Sequence, residues 1–245
     1  MKKKMLLISN STNYGEEYLG WPREHIKNFL DSTTAKEVLF VPYAGVNLKT
    51  ESIEASYDAY EQKVASVYET LGYKIKSIHT CDDPVAAVEK AEAIAVGGGN
   101  TFHLVYMMHK TGIMEAIRKR VIDGLPYMGW SAGSNVACPT LRTTNDMPII
   151  EPESFNCLNL IPFQINPHYL DANPEGHGGE TREQRILEFL SVNRDMYVAG
   201  LREGCFLLVE NGKLTLEGNR PLRIFKFGEE IIEMDKTQDL QFLMK

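Results

Sequence analysis

The sequence predicts an α/β fold: a mainly parallel, doubly wound sheet flanked by helices, with an antiparallel hairpin towards the C-terminal end. Short apolar runs alternate with helical stretches through the first half of the chain, as in successive β-α units. These runs are almost continuously apolar, which is typical of parallel strands buried on both faces. In the second half, short strands flank an Asn-Gly turn, and this pattern indicates antiparallel pairing.

The first half divides into strands that are followed by loops and helices. Strands are expected at about 6–9, 38–42, 73–78, 93–96 and 125–128. Helices are expected at about 22–30, 52–71, 84–90, 101–109, 112–122 and 134–137. Gly72 is a stop signal for the long amphipathic helix. Asp83 followed by Pro84 is a start signal, because aspartate caps a helix and proline fits its first turn.

The second half contains fewer helices and more short strands. Thr181 and Gln184 have the spacing of a capping box, which predicts a helix to about Leu190. Strands are expected at about 196–201, 205–210, 213–216 and 222–227, with Asn211 and Gly212 forming the hairpin turn. No repeat, low-complexity tract or linker interrupts the chain, so residues 1–245 are predicted to form a single domain.

Composition and charge exclude several classes of protein. The net charge of −7 argues against a nucleic-acid surface. No apolar run reaches the length of a membrane span, and the apolar run after the N-terminal lysines is too short for a secretory signal. The four cysteines are scattered without a C-x-x-C pair, which predicts free thiols in a reducing cytoplasm. We therefore expect a cytoplasmic protein with neither nucleic-acid nor membrane partners.

The most informative stretch is Gly-Trp-Ser-Ala-Gly at 129–133, between a buried strand and a short helix. A serine nucleophile requires a sharp strand-to-helix turn that exposes its Oγ, and this spacing predicts such a turn at Ser131. The flanking glycines allow neighbouring backbones to approach closely. The following helix would point its unpaired N–H groups at the reaction centre.

A serine nucleophile also needs a base and a group that orients the base. His168 is the expected base, because it lies at the end of a strand, where doubly wound sheets present their functional side chains. His177 is a rival in a glycine-flanked loop. Two acids compete for the third position, Asp146 and Glu203, and the sequence leaves this choice open.

Stabilisation of the oxyanion requires donors held in place before the reaction. The Ala132 N–H is one expected donor, and the glycine loop at 97–100 is expected to supply another through Gly98 or Gly99. This loop lacks the lysine of a phosphate-binding loop and the spacing of a dinucleotide-binding loop. No metal-binding spacing is present, so neither a metal nor a cofactor is expected.

Nine stretches resemble the peptidase E family of serine peptidases, α-aspartyl dipeptidases whose wider family includes cyanophycinase. In chain order they are LISNS (7–11), VPYAGV (41–46), VGGGNTF (96–102), GWSAG (129–133), CPT (138–140), RTTNDMPI (142–149), QINPH (164–168), PEGH (174–177) and GETREQRI (179–186). The resemblance implies a flavodoxin-like fold related to class I glutamine amidotransferases. It also implies a nucleophile at Ser131, a base at His168, and functional roles for both Asp146 and Glu203.

The expected activity is hydrolysis of dipeptides with an N-terminal aspartate, through an acyl-enzyme on Ser131. An acidic substrate needs a cation in its pocket, and Arg182 is the expected reader of the aspartyl side chain, with Asn100 also contacting substrate. A surface ion pair of Arg182 with Glu183 or Glu188 is the alternative. Other functions are a cyanophycinase-like or broader exopeptidase, or an inactive relative that binds an acidic metabolite. The oligomeric state stays open, a homodimer included.

Overall fold

The computed structural model describes residues 3–173, 175–176 and 178–245. In chain order the strands are β1 (Met5–Ile8), β2 (Glu37–Val41), β3 (Lys74–Ser77), β4 (Ile94–Val96), β5 (Tyr127–Trp130), β6 (Gln164–Tyr169), β7 (Tyr197–Arg202), β8 (Cys205–Glu210), β9 (Lys213–Gly218), β10 (Leu222–Lys226) and β11 (Ile232–Met234). Each expected strand is present, with its ends shifted by a residue or two.

The helices agree equally well with the expected ones. They are α1 (Arg23–Asp31), α2 (Ile53–Thr70), α3 (Pro84–Lys90), α4 (Thr101–Lys110), α5 (Ile113–Ile122), α6 (Ala132–Asn135) and α7 (Arg182–Val192), with short 3-10 helices at Ile78–Thr80 and Gln241–Met244. Asp83 caps α3, and Thr181 and Gln184 form the expected capping box of α7. No helix in the described part of the chain combines the length and apolar character needed to span a membrane.

The central sheet has seven strands in the order β3-β2-β4-β5-β1-β8-β9. Its first five strands are parallel, and β8 and β9 extend it in the antiparallel direction beyond β1. The predicted doubly wound α/β fold with C-terminal antiparallel strands is therefore confirmed. The Asn211-Gly212 hairpin joins β8 to β9 and forms the edge of this main sheet.

A second sheet of four strands has the order β11-β10-β7-β6. Here β6 and β7 are parallel, whereas β10 pairs antiparallel with both of its neighbours. Because β7 leads directly into β8, the chain passes from the second sheet into the main sheet at residues 202–205. The carboxyl ends of β6 and β7 consequently lie near the carboxyl end of β1.

Helices cover both faces of the main sheet. Apolar side chains of α1 and α2, including Phe29 and Val64, pack on one face around the buried Trp130. Side chains of α3, α4, α5 and α6 pack on the other, where Leu104 and Ile117 are fully buried. Burial on both faces explains why the strand sequences are continuously apolar.

Arg202, at the end of β7, ties the second sheet together. Its guanidinium is buried, with 6% of the side chain exposed, and it donates to the carboxylates of Asp171 and Glu233 and to the Pro221 carbonyl. These hydrogen bonds hold the pKa of Asp171 and of Glu233 below their usual range. The clamp fixes the chain immediately before Glu203.

We expect Arg202→Met to lower the free energy of unfolding by about 1–3 kcal/mol at pH 7, since Asp171 and Glu233 lose the hydrogen bonds of Arg202 and keep only Arg223 as a cationic partner. Because both carboxyl pKa values are lowered in the folded state, this stabilisation is fully present at pH values above the unfolded-state carboxyl pKa of about 4. It is lost as the pH falls further and the folded protein's carboxylates become protonated. Thermal unfolding at pH 7, 5 and 3.5 checks this. The difference in unfolding temperature between Arg202→Met and wild type should be equal at pH 7 and pH 5 and smaller at pH 3.5. An unchanged difference, or an equal loss in the surface control Arg118→Met, contradicts it.

Candidate active site

Ser131 lies on the sharp turn that the sequence predicts between β5 and a helix. Its backbone has φ 54° and ψ −111°, a conformation that residues other than glycine rarely adopt. Close packing holds the turn: a Cβ on Gly129 would lie 2.3 Å from the Gly133 carbonyl oxygen, and one on Gly133 would lie 2.1 Å from that of Val96. Glycine is therefore required on both sides of Ser131.

Helix α6 begins at Ala132, two residues earlier than the sequence indicates. As a result, the Ala132 N–H lies in the first turn, directly after Ser131. Among the described residues, neither this N–H nor those of Gly98 and Gly99 donate to another protein group. A Cβ on Gly98 would lie only 3.0 Å from the Ser131 Cβ, so the glycine loop contacts the serine directly. These N–H groups are suited to binding an oxyanion beside Ser131.

His168 reaches Ser131 from the second sheet. Its Nε2 lies 2.9 Å from Ser131 Oγ. The pairing of β6 with β7 is irregular between Pro167 and Tyr169, and His168 has φ 53°. An irregularity of this kind turns a side chain out of the regular alternation of a strand. It aims the imidazole at the serine.

Glu203 follows β7 and lies on the other side of the imidazole. Its Oε1 is 2.7 Å from His168 Nδ1. A carboxylate only accepts, so Nδ1 carries the hydrogen and Nε2 is left to accept from the Ser131 hydroxyl. The side chains of His168 and Glu203 are about 40% exposed. Of the two acids that the sequence left open, the structure brings Glu203 to His168.

Asp146 lies at the start of α4 instead. Its Oδ2 accepts from the Thr101 N–H at 2.7 Å, from Thr101 Oγ1 at 2.6 Å and from Thr144 Oγ1 at 3.0 Å. Asn100 caps the same helix, accepting from the His103 N–H and donating to the Met147 carbonyl. Among the described residues, no group donates to Asp146 Oδ1.

A cavity of about 590 Å³ opens over Ser131. Asp146 and Asn100 line it together with His168, and its volume falls in the range that binds small ligands. Arg182 lines a smaller neighbouring cavity of about 50 Å³, with Thr143 and Asn166. Burial lowers the pKa of the Arg182 guanidinium; the positive charge of Arg185 adds to this effect, and the negative charge of the nearby Asp146 opposes it.

The expected alternative for Arg182, a surface ion pair, is not what the structure contains among its described residues. Glu183 pairs with Arg223 at 2.7 Å, and neither Glu183 nor Glu188 binds Arg182. The rival base His177 lies outside the described residues.

One group of metal-binding side chains lies away from Ser131 in the described part of the chain: the ligand atoms of Asp58, Glu61 and His79 are within 4.8 Å of one another. Protein contacts already use them. His79 binds Asp58 at 3.0 Å and Ser77 Oγ at 2.6 Å, and Glu61 accepts from the Ser77 N–H at 2.9 Å. The group joins α2 to β3, and this structural role accounts for it.

The model of Peptidase family S51 matches residues 5–217 of the chain. The chain belongs to this family. It is 50% identical to Peptidase E of Nostoc sp. over 245 residues, all of this chain and 98% of the relative. It is 46% identical to Peptidase E of Salmonella typhimurium over 232 residues, covering 95% of this chain and 97% of the relative.

The fold agrees with this membership. The crystal structure of a peptidase from an acI-B1 actinobacterium superposes with a TM-score of 0.71 at 18% identity, covering 98% of this chain and 97% of that one. The chain is therefore a peptidase of family S51, and the predicted resemblance to that family is confirmed.

Two polar residues after β1, Ser9 and Asn10, hold the residues around Ser131 in position and do not line the cavity over Ser131. The buried Ser9 Oγ accepts from the His168 N–H at 2.9 Å and donates to the Leu201 carbonyl at 2.8 Å. Asn10 Oδ1 accepts from the Gly204 N–H at 2.9 Å, next to Glu203. Sequence reasoning missed both, although a polar pair directly after a buried strand is a signal for them.

We expect Ser9→Ala to lower kcat more than tenfold with little change in KM. It leaves the buried His168 N–H and Leu201 carbonyl unpaired, at a cost of about 1–3 kcal/mol, and so shifts the imidazole rather than the substrate. Steady-state kinetics with a dipeptide substrate measure both constants. Ser191→Ala removes a hydroxyl from the exposed face of α7 and serves as the control. A Ser9→Ala enzyme with unchanged kcat, or with only KM raised, contradicts the positioning role.

Proposed function

We propose that this S51 peptidase is a serine-type dipeptidase that hydrolyses dipeptides with an N-terminal aspartate. The observation that carries the serine mechanism is the continuous line of hydrogen bonds from Ser131 Oγ through His168 to Glu203. The free N–H groups beside Ser131 and the cavity above it support the same chemistry. Cytoplasmic location remains part of the proposal, supported by four free cysteines.

In the first half-reaction, Ser131 Oγ attacks the carbonyl carbon of the peptide bond as its proton passes to His168 Nε2. Glu203 holds the imidazole in the required tautomer and stabilises the imidazolium that forms. The carbonyl oxygen becomes an oxyanion and accepts hydrogen bonds from the N–H groups of Ala132 and of Gly98 or Gly99. The C–N bond then breaks, and His168 gives its proton to the departing amine.

In the second half-reaction, water replaces the amine. His168 accepts a proton from the water as its oxygen attacks the ester on Ser131, and the same N–H groups stabilise the second oxyanion. Breakdown returns the proton to Ser131 Oγ and releases aspartate. The sequence of steps uses no group beyond the described residues and water.

Selectivity for N-terminal aspartate is assigned to Asp146 and Arg182. Asp146 lines the cavity with Oδ1 free among the described residues, and we assign it to the substrate α-ammonium. Arg182, beside Asp146, is assigned to the aspartyl carboxylate, which requires its side chain to move towards the Ser131 cavity. Asn100 lines the same cavity, and we assign it a contact with the substrate. Its side-chain amide also donates a hydrogen bond to the Met147 carbonyl.

Two alternatives stay in competition. A cyanophycinase-like or broader exopeptidase would use the same Ser131 chemistry without the Asp-X preference. An inactive relative would bind an acidic metabolite without turnover. The aligned Ser131 and His168 side chains favour an active enzyme over the inactive relative.

Ser131→Ala should reduce turnover of Asp-Leu by several orders of magnitude while leaving the unfolding temperature unchanged, because the exposed hydroxyl is lost without opening a cavity. The wild-type enzyme should be labelled at Ser131 by a serine-directed fluorophosphonate and should cleave Asp-Leu much faster than Leu-Leu. Labelling with equal turnover of both peptides would indicate the broader exopeptidase. Retention of a tenth of the activity by the alanine variant would exclude the serine mechanism.

The amide variants Glu203→Gln and Asp146→Asn should separate the roles of the two acids. Loss of the Glu203 carboxylate should lower kcat with little effect on KM, because it orients and stabilises the imidazolium only during the reaction. Loss of the Asp146 carboxylate should mainly raise KM and reduce discrimination against acetyl-Asp-Leu. Kinetics of both variants with the two substrates provide the measurement. The reverse pattern would exchange the assignments.

A further inference from the structure

The cavity over Ser131 contains one lysine. Lys63, on α2, is the only lysine or arginine among the described residues that line it, and Asp146 is the only acid. No carboxylate in the described part of the chain forms an ion pair with Lys63. The ammonium is solvated and available. The cavity thus presents one negative and one positive side chain to whatever it binds.

A cation–π contact followed by a series of hydrogen bonds connects Lys63 to the neighbourhood of Ser131. The Lys63 Nζ lies over the Tyr18 ring, 4.1 Å from its centroid. The Tyr18 hydroxyl lies 3.4 Å from that of Tyr60, and Tyr60 donates to the Gly98 carbonyl at 2.9 Å. Trp130, the residue before Ser131, donates to Tyr60 Oη at 3.1 Å. Burial raises the pKa of both tyrosines, so their hydroxyls stay neutral donors.

This series fixes the wall that carries Lys63 relative to the serine. Tyr60 and Lys63 are three residues apart on α2 and therefore share one face of the helix. The ring of Tyr18 attracts the ammonium and limits the positions it explores. Lys63 is consequently held on the wall formed by α2 and the Gly98 loop. Asp146 is held by separate contacts, at the start of α4.

We propose that Lys63 Nζ binds the C-terminal carboxylate of the leaving residue, so that the substrates are short peptides with a free C-terminus. This inference rests on the proposed peptidase function and defines its substrate class. A dipeptide zwitterion has one ammonium and one terminal carboxylate, roughly 7 Å apart in an extended chain. Asp146 and Lys63 offer the complementary charges in one cavity of about 590 Å³.

The terminal carboxylate is a better match for Lys63 than the aspartyl side chain. The α-ammonium and the side chain belong to the same substrate residue, and the groups assigned to them, Asp146 and Arg182, are neighbours. The leaving residue lies on the other side of the bond that Ser131 attacks. Lys63 is on α2, whereas Asp146 contacts the start of α4 and Arg182 is on α7.

The test compares Lys63→Met with Arg182→Met on Asp-Leu, Asp-leucinamide and Asn-Leu. Wild type should prefer Asp-Leu to its C-terminal amide by about tenfold or more in kcat/KM, because the bound peptide shields the Lys63–carboxylate pair from water. Lys63→Met should remove that preference, lowering Asp-Leu about tenfold and the amide less than twofold. Lys63→Arg should restore most of it. Arg182→Met should instead remove the preference for Asp-Leu over Asn-Leu.

Lys90→Met on the surface of α3 controls for the change in net charge and should leave both preferences unaltered. The proposal is overturned if Lys63→Met slows Asp-Leu and its amide equally, which would indicate a structural role. It is also overturned if the variant changes neither substrate. A third result also overturns the proposal. If Lys63→Met loses the preference for Asp-Leu over Asn-Leu but keeps the preference for Asp-Leu over Asp-leucinamide, Lys63 binds the aspartyl side chain.

Failure of the proposed function gives a different result. If the enzyme cleaves Leu-Leu as fast as Asp-Leu, the proposed aspartate specificity is wrong. The ratio of kcat/KM for Leu-Leu to that for Leu-leucinamide, in wild type and Lys63→Met, then still tests the role of Lys63. For a protein that hydrolyses none of these, calorimetric binding of Asp-Leu and Asp-leucinamide to wild type and Lys63→Met gives the same comparison. Tighter binding of the free acid that depends on Lys63 supports the proposal, and equal binding of both peptides overturns it.

Discussion

The geometry of the candidate active site depends on the buried hydroxyl of Ser9, because it joins the two sheets that carry Ser131 and His168. Ser131 belongs to the main sheet, whereas His168 belongs to the second. Ser9 lies at the end of β1, accepts from the His168 N–H and donates to the Leu201 carbonyl. One side chain thus fixes β6 and β7 relative to β1. The proposed proton transfer between Ser131 and His168 requires this fixed separation.

Both residues of the proposed serine–histidine pair have backbone conformations that only the surrounding packing makes tolerable. Ser131 and His168 have φ values of 54° and 53°, and such conformations cost about 1–3 kcal/mol each. The contact between Gly133 and Val96 holds the first, and the Ser9 hydrogen bond holds the second. These backbone conformations turn the two side chains towards each other across the boundary between the sheets.

Much of this arrangement could be predicted from local sequence. The Gly-Trp-Ser-Ala-Gly turn, the capping box of α7 and the Asn211-Gly212 hairpin depend on neighbouring residues, so pattern alone identifies them. His168 was found because it ends a strand. The choice between Asp146 and Glu203 could not be made, because it depends on which strand lies beside β6, and the resulting contact of His168 with Glu203 spans 35 residues of sequence.

The second sheet itself could not be predicted for the same reason. Strands β6, β7, β10 and β11 have ordinary apolar patterns. No local sequence pattern indicates that β8 pairs with β1 of the main sheet instead of joining them. Ser9 and Lys63 were missed for a related reason. A serine after a strand and a lysine on an amphipathic helix have ordinary structural explanations, and only their positions beside His168 and Ser131 distinguish them.

The charges around the cavity explain how an acidic protein could accept an acidic peptide. A net charge of −7 repels anions at long range, but salt screens that repulsion beyond about 8–10 Å. Within the cavity, the relevant charges are those of Asp146 and Lys63. Asp146 Oδ2 is occupied by three hydrogen bonds from Thr101 and Thr144, which fix the orientation of Oδ1. In the proposed site Lys63 is held over the Tyr18 ring, so one restrained positive charge and one fixed negative charge face the two ends of a dipeptide.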